Sequence, residues 1–86
     1  MLDRIVKVEW TDSETFCGWQ VKEDVGRWAE APPTTCKSVG WLLSETDSHL
    51  VLIPNINHDN YAECTKIPRV CVLKMTDLYG TSAVPA

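Results

Sequence analysis

The sequence predicts a mainly β (α+β) fold of four or five short strands with one short helix, and three stretches carry that prediction. Residues 37–53 form two apolar runs around a polar turn, residues 2–10 alternate apolar and polar side chains, and residues 20–31 change to a helical period. We expect one domain, residues 1–86, with a core small enough that a disulfide, a metal or a partner subunit would help to stabilise it. The small, polar tail at 79–86 is expected to fray.

The first predicted strand has one apolar face. Val6, Val8 and Trp10 alternate along residues 2–10, and the charged side chains fall on the other face together with Ile5. Residues 11–14 follow as a polar turn.

The predicted helix has an apolar side that we expect to cover the sheet. Two prolines at positions 32 and 33 end it, because proline cannot continue a helix and restricts the residue before it. The apolar side consists of Val21, Val25, Trp28 and Ala29.

Residues 37–53 predict a β-hairpin that turns about Thr46-Asp47. This turn places Leu43 opposite Leu50 and, further along, Trp41 opposite Leu52. The face predicted to be buried consists of Val39, Trp41, Leu43, Leu50 and Leu52. The opposite face is predicted to contain Leu42, Val51 and Ile53, with Leu42 opposite Val51. Apolar residues on this second face indicate that the helix or another subunit covers it.

The last third of the chain predicts an exposed loop and a closing strand. Residues 54–63 are rich in Asn, Asp and His without periodicity, and a short turn at 67–69 leads into a strand at 70–75. This order of elements fits a small, partly open barrel of the SH3-like or Sm-like kind. Such folds have edge strands that can pair with neighbouring copies, so we expect a homo-oligomer.

Composition and charge narrow the function classes. The net charge is −4 and no stripe of Lys or Arg is visible, so nucleic-acid binding is disfavoured, although a small barrel can bind single strands by stacking. No signal peptide or membrane-spanning segment is visible, and we expect a cytoplasmic protein. The four cysteines show no zinc-site spacing, so no metal is expected; whether any of them pair or bind a metal stays open.

No motif predicts catalysis or a cofactor. The serines lack a nucleophile-elbow context, the histidines lie in no catalytic motif, and glycine-rich phosphate loops are absent. We therefore expect a non-enzymatic protein that acts by binding.

The candidate binding residues combine an acceptor, a hydroxyl, aromatic plates and a cation. A nucleobase or peptide could stack on an indole while a carboxylate accepts from its amino group, and an arginine fork suits a phosphate or carboxylate. The alternative is that the carboxylate only stabilises a turn and that Trp19 lies in the core. The candidates are Asp12, Ser13, Trp19, Trp28, His58 and Arg69.

Four short segments resemble a group of small, mostly uncharacterised proteins encoded by bacteriophages and prophages. They are EWTDS (residues 9–13), GW (18–19), SVGWL (38–42) and IPR (67–69), and the likeness spans residues 6–78. The resemblance implies a homo-oligomeric inhibitor of host antiviral defence, which captures an immune signalling nucleotide or blocks a defence protein. The alternatives are a structural or regulatory phage assembly protein and a single-stranded nucleic-acid-binding barrel.

Overall fold

A computed structural model of the protein describes residues 2–79. Its elements are β1 (Ile5–Thr11), α1 (Lys22–Glu30), β2 (Thr35–Glu45), β3 (His49–Ile53), β4 (Asn55–Ile56), β5 (Tyr61–Ala62), β6 (Thr65–Pro68), a 3-10 helix (Arg69–Cys71) and β7 (Val72–Tyr79). The mainly β fold with one short helix is confirmed. Of the tail predicted at 79–86, Tyr79 belongs to β7 and the remainder lies outside the described residues.

Five of the strands form one antiparallel sheet in the order β6-β3-β2-β1-β7, and β4 and β5 form a separate small hairpin. The two edge strands, β6 and β7, are four inter-strand spacings apart, which would be about 19 Å in a flat sheet. Only the 3-10 helix Arg69–Cys71 joins them, and a link of this length in 3-10 geometry spans about 8 Å. The sheet must therefore curl, although β6 and β7 do not pair and the sheet stays open.

The core lies on the concave face of this curled sheet. Its fully buried cluster consists of Val6, Val8, Leu50, Leu52 and Ile67, with Trp10, Leu42, Cys71, Val72 and Met75 packed against it. The predicted apolar face of the first strand is confirmed, since Val6 and Val8 are completely buried and Trp10 lies beside them.

The β2–β3 hairpin forms as predicted, but its predicted pairing is wrong. Leu42 pairs with Leu52, and Leu43 is the extra residue of a β-bulge. A bulge changes which side chains share a face, so Leu42 joins the core while Val39 and Leu43 are 50% and 49% exposed. The turn itself is held by Thr46, whose hydroxyl oxygen accepts from the backbone N–H groups of Ser48 (3.2 Å) and His49 (3.1 Å).

Trp41 and Ile53 pair on the face opposite the core cluster, so the prediction that Trp41 lies in the core is wrong. Ile53 was predicted for that face, and it is completely buried there. Beside this pair, a Cβ on Gly40 would lie 2.9 Å from the backbone oxygen of Ile53. Such a distance is shorter than real Cβ contacts, so β2 and β3 approach this closely only because residue 40 is glycine.

The helix does not cover the sheet, contrary to the sequence prediction. It spans Lys22–Glu30, inside the predicted 20–31, but none of its residues is buried. The connection between β1 and β2, residues 12–34, leaves the sheet at the end of the β1–β2 ladder, where Thr11 pairs with Thr35. The apolar side of the helix is thus left free of the core.

The last third of the chain differs from the prediction mainly in its boundaries. A four-residue strand, β6, occupies 65–68, and the predicted turn lies two residues later than expected, as the 3-10 helix at 69–71. The closing strand then runs from 72 to 79. Residues 54–63, predicted as a loop, contain the β4–β5 hairpin.

Candidate functional site

Residues 12–34, here called the arm, project from the sheet and are closed at their base by hydrogen bonds between the outgoing and returning chain. The backbone N–H of Asp12 donates to the carbonyl oxygen of Thr34 at 3.1 Å. In return, the N–H of Thr34 donates to Oε2 of Glu14 at 2.9 Å. The first bond continues the β1–β2 ladder by one step, and the second adds a side-chain contact where the arm begins.

The tip of the arm is a turn that exposes Trp19. Gly18 has φ +81°, a left-handed conformation that glycine adopts without strain, and it reverses the chain there. The Gln20 side-chain amide donates to the carbonyl oxygen of Cys17 at 2.8 Å and holds the turn. Trp19 is fully exposed as a result.

The helix lies on the returning side of the arm. Its first turn forms when the N–H groups of Asp24 and Val25 donate to the carbonyl of Val21. Asp24 also forms an ion pair with Arg27 one turn later. The helix ends before the two prolines, where Ala31 is extended at ψ 145°.

One ring contact links the outgoing chain to the helix. The rings of Phe16 and Trp28 lie 5.7 Å apart between centroids, tilted by 43°. This separation is typical of attractive aromatic pairs. The contact sets the position of the Trp28 indole over the base of the arm.

A pocket of about 230 Å³ opens between the two sides of the arm, and we call it the arm pocket. The outgoing chain, the end of the helix and the proline-rich return form the walls of this open pocket. It is lined by Asp12, Ser13, Glu14, Trp28, Ala29, Ala31 and Pro33.

The arm pocket is acidic. Asp12 uses Oδ1 to accept from the backbone N–H of Ser13 at 2.8 Å, and Glu14 uses Oε2 to accept from Thr34. Both carboxylates are exposed, and none of the described residues that line the pocket is basic. The whole arm holds five acidic and two basic residues, so it carries most of the chain's net charge of −4.

The arm also exposes large apolar side chains. These residues include two tryptophans, and each is more than a third exposed. They are Phe16, Trp19, Val21, Val25 and Trp28. Exposed apolar residues gathered on one projecting segment are typical of a surface that contacts another molecule.

The structure brings three of the six predicted binding residues together. Asp12, Ser13 and Trp28 line the arm pocket. Trp19 belongs to the same arm but is not a lining residue, and the alternative that it is a core side chain is wrong.

The other two predicted residues lie elsewhere. His58 is in the β4–β5 hairpin, 97% exposed at its side chain, with Nε2 3.9 Å from a carboxylate oxygen of Asp59. Arg69 donates from Nη1 to Oε2 of Glu45 at 3.0 Å, at the end of β2 that is remote from the arm. Asp12 and Arg69 therefore do not share one site, so they cannot act together on a phosphate-bearing ligand.

Arg69 belongs to an ion-pair network at the end of the sheet that is remote from the arm. Arg4 contacts Glu45 at 3.6 Å and donates from Nε and Nη2 to Oδ1 of Asp77 at 3.0 and 2.9 Å. The hydrogen bond to Asp77 raises the pKa of Arg4 further above its ordinary value. The network ties the residue before β1 to β2, β7 and the 3-10 helix, which is a structural role.

The predicted binding residues do not include Glu14, Ala29 at the end of the helix, or Ala31 and Pro33 of the return. Glu14 belongs to the same polar turn as Asp12, and this proximity was the available signal. Pro33 was interpreted only as a helix terminator, although the same stiff turn brings the return alongside residues 12–14.

The described residues offer little for other chemistries. Residues 2–79 contain no group of three or more His, Cys, Asp or Glu side chains arranged for a metal ion. The arm pocket has a hydroxyl at Ser13, but no histidine, lysine or cysteine is among its lining residues to activate it. All four cysteines are free thiols. Among residues 2–79, no helix combines the length and apolar composition needed to cross a membrane.

Comparison with known proteins found no matching family model, no matching curated protein and no matching solved structure.

Proposed function

We propose that this chain is a non-enzymatic binding protein whose arm docks onto another protein. One observation carries the proposal: the sheet buries its own core, whereas the arm leaves Phe16, Trp19 and Trp28 exposed. Aromatic residues are enriched in the contact residues that dominate protein–protein binding. A projecting segment with such residues is suited to enter a groove of a partner.

A protein partner fits the arm better than a signalling nucleotide does. A nucleotide brings phosphate groups, and the arm pocket would oppose them with Asp12 and Glu14 and no basic lining residue. Its volume of about 230 Å³ is also below the roughly 300–1,000 Å³ of pockets that enclose small-molecule ligands. Of the two expected modes of inhibition, blocking a protein is therefore the one we propose.

The resemblance to small bacteriophage proteins suggests which partner this is. We propose a phage-type protein that acts in the cytoplasm of the host cell and blocks a host defence protein by contact. A role in phage structural or regulatory assembly would use the same arm with a phage partner instead. Nucleic-acid binding has less support because the projecting surface is acidic.

We further propose that the curled sheet is a small, partly open barrel of the SH3-like or Sm-like kind and that it self-associates. The order β6-β3-β2-β1-β7 and the 3-10 link between the two edges support the barrel. In the described sheet, each edge strand, β6 and β7, has a neighbour on one side only, so a second copy could pair with its outer side. Size-exclusion chromatography with light scattering tests this, and a monomer at every concentration would remove self-association while leaving the arm's role intact.

Site-specific photo-crosslinking tests the docking of the arm. A benzophenone amino acid placed at Trp19 is compared with one at Val70, since these side chains are 103% and 95% exposed on the arm and on the 3-10 helix. In infected host cells, we expect position 19 to crosslink one defined protein and position 70 to give no such product.

The crosslinking yields separate the outcomes. Equal yields at the two positions would indicate unspecific contact and would contradict the proposal. A product at position 70 alone would transfer the binding surface from the arm to the sheet. A specific product at position 19 that is a phage protein would favour the assembly role over inhibition of defence.

A further inference from the structure

We propose that the arm pocket binds a basic side chain, an arginine or lysine, of the partner protein. This inference rests on the proposed docking function and names the chemistry by which the partner is recognised. The pocket combines a hollow of side-chain size with three features that each favour a positive charge. It would place a basic side chain of the partner beside the exposed aromatic residues of the arm.

The first feature is the pair of carboxylates. Asp12 and Glu14 each commit one oxygen to a backbone N–H, through Oδ1 at 2.8 Å and Oε2 at 2.9 Å. These bonds restrain both carboxylates, so less side-chain freedom is lost when a cation binds than for carboxylates without partners. The other oxygens, Oδ2 and Oε1, remain to accept from a guanidinium or ammonium group.

The second feature is the end of the helix. Lys22–Glu30 ends at the pocket, and Trp28 and Ala29 of its last turn line the wall. The last four carbonyl groups of a helix have no partner within the helix, and they give this end a partial negative charge. Cations are stabilised at such ends.

The third feature is the Trp28 indole. Its ring is oriented by Phe16 and lines the pocket together with the carboxylates. Tryptophan has the strongest cation–π attraction of the aromatic side chains, and arginine is its most frequent partner. The indole therefore provides a flat surface on which the apolar stem or the planar head of a basic side chain can lie.

The net charge of the arm supports the same occupant. Five acidic residues against two basic ones give the arm a negative field beyond the pocket itself. A field of this sign attracts a partner with a basic surface and repels an acidic one. Without that field, a neutral partner would satisfy the exposed aromatic residues equally well.

A peptide titration followed by NMR tests the pocket directly. The probes are blocked pentapeptides of glycine and alanine with one central arginine, lysine or citrulline, where citrulline is the neutral isostere of arginine. With protein labelled in its indole N–H groups, we expect the Trp28 signal, assigned with W28F, to shift with the arginine or lysine peptide. The citrulline peptide should leave it in place. The Trp10 signal, whose N–H donates to Ser38 at 3.0 Å in the sheet, serves as the internal control.

Variants that neutralise the two carboxylates provide a second test of the pocket. The double variant D12N/E14Q keeps both oxygens that accept backbone hydrogen bonds but removes both charges. We expect it to weaken binding of the basic peptide by about twofold to thirtyfold, as estimated from two exposed ion pairs. E23Q/E30Q is the matched control, because it also removes two charges from the same arm at positions that do not line the pocket.

The outcomes distinguish this inference from the proposed function. A Trp28 shift of equal size with citrulline, no shift with any peptide, or unchanged binding by D12N/E14Q would overturn the basic-side-chain inference. If the crosslink at position 19 persists undiminished in D12N/E14Q, the arm docks but the pocket is not its cation receptor. If the peptides bind as expected while no specific crosslink forms, the pocket has the proposed chemistry and the docking proposal fails.

Discussion

The curled sheet and the arm differ in where their apolar side chains lie. The sheet strands contain all of the fully buried hydrophobic residues of the described chain, Val6, Val8, Leu50, Leu52, Ile53 and Ile67. The arm contains none and leaves its large apolar residues exposed, whereas the sheet exposes only part of its own, among them Val39 and Leu43. Burial of apolar surface is the main source of folding stability. The sheet should therefore determine stability, and the arm should be free to serve binding.

A matched pair of glycine substitutions tests this difference most strongly. Gly40→Ala would place a Cβ 2.9 Å from the backbone oxygen of Ile53, and the surrounding backbone must shift because it is not a flexible side chain. We expect the free energy of unfolding to fall by about 1–3 kcal/mol, the usual cost of overpacking. Urea denaturation followed by the fluorescence of the sheet tryptophans measures it.

Gly26→Ala is the control from the arm. A Cβ at position 26 has no atom within 4 Å, and this helical position favours alanine over glycine by roughly 1 kcal/mol. The helix content should therefore rise slightly, with no loss of global stability. If Gly26→Ala destabilised the protein as much as Gly40→Ala, the arm would be packed tightly in solution and the contrast between the two regions would be wrong.

Disrupting the ion-pair network at the end of the sheet remote from the arm should cost less stability. Glu45→Gln removes the acidic partner of Arg69 and one of the two acidic partners of Arg4, which keeps Asp77. These side chains are partly exposed, so we expect a loss of about 0.5–1 kcal/mol that shrinks as salt is added. Chemical denaturation at low and high salt measures it, and an equal loss at both would indicate a packing effect instead.

The raised pKa of Arg4 predicts how its contribution to stability depends on pH. Its folded-state pKa is raised by the hydrogen bond to Asp77, so its stabilising contribution is complete below the unfolded-state pKa. That contribution is lost only as the pH rises through the folded-state pKa, in strongly alkaline solution. Between neutral and mildly alkaline pH, Arg4 should therefore cause no change in stability.

The sequence predicts the sheet well where alternation is uninterrupted. Val6 and Val8 in β1 alternate with polar residues, and both are buried as expected. In β2 the alternation is broken by the bulge at Leu43, and no glycine or proline at that position signals it. One extra residue reverses the faces of the strand, so Leu42, rather than Trp41, contacts the core.

The candidate site was predictable only in its local part. The sequence predicts Asp12 and Ser13 because adjacent polar residues in a turn signal a possible site, and Trp28 because a ligand can stack on an indole. Their meeting depends on the return of residues 31–34 beside residues 12–14, a long-range contact that no local pattern encodes. For the same reason, Arg69 was grouped with Asp12, although its partner is Glu45 at the far end of β2.

Of these substitutions, Trp19→Ser should change the stability of the protein least. Replacing a buried tryptophan by a small residue typically costs about 3–5 kcal/mol, whereas Trp19 is fully exposed and Trp19→Ser should change stability by less than about 0.5 kcal/mol. Thermal unfolding at several protein concentrations measures this. A large loss that grows with protein concentration would mean that a second copy covers Trp19, because self-association stabilises the folded state by mass action. The arm would then be the interface between copies rather than the surface that meets a host protein, and the photo-crosslink at position 19 would join two identical chains.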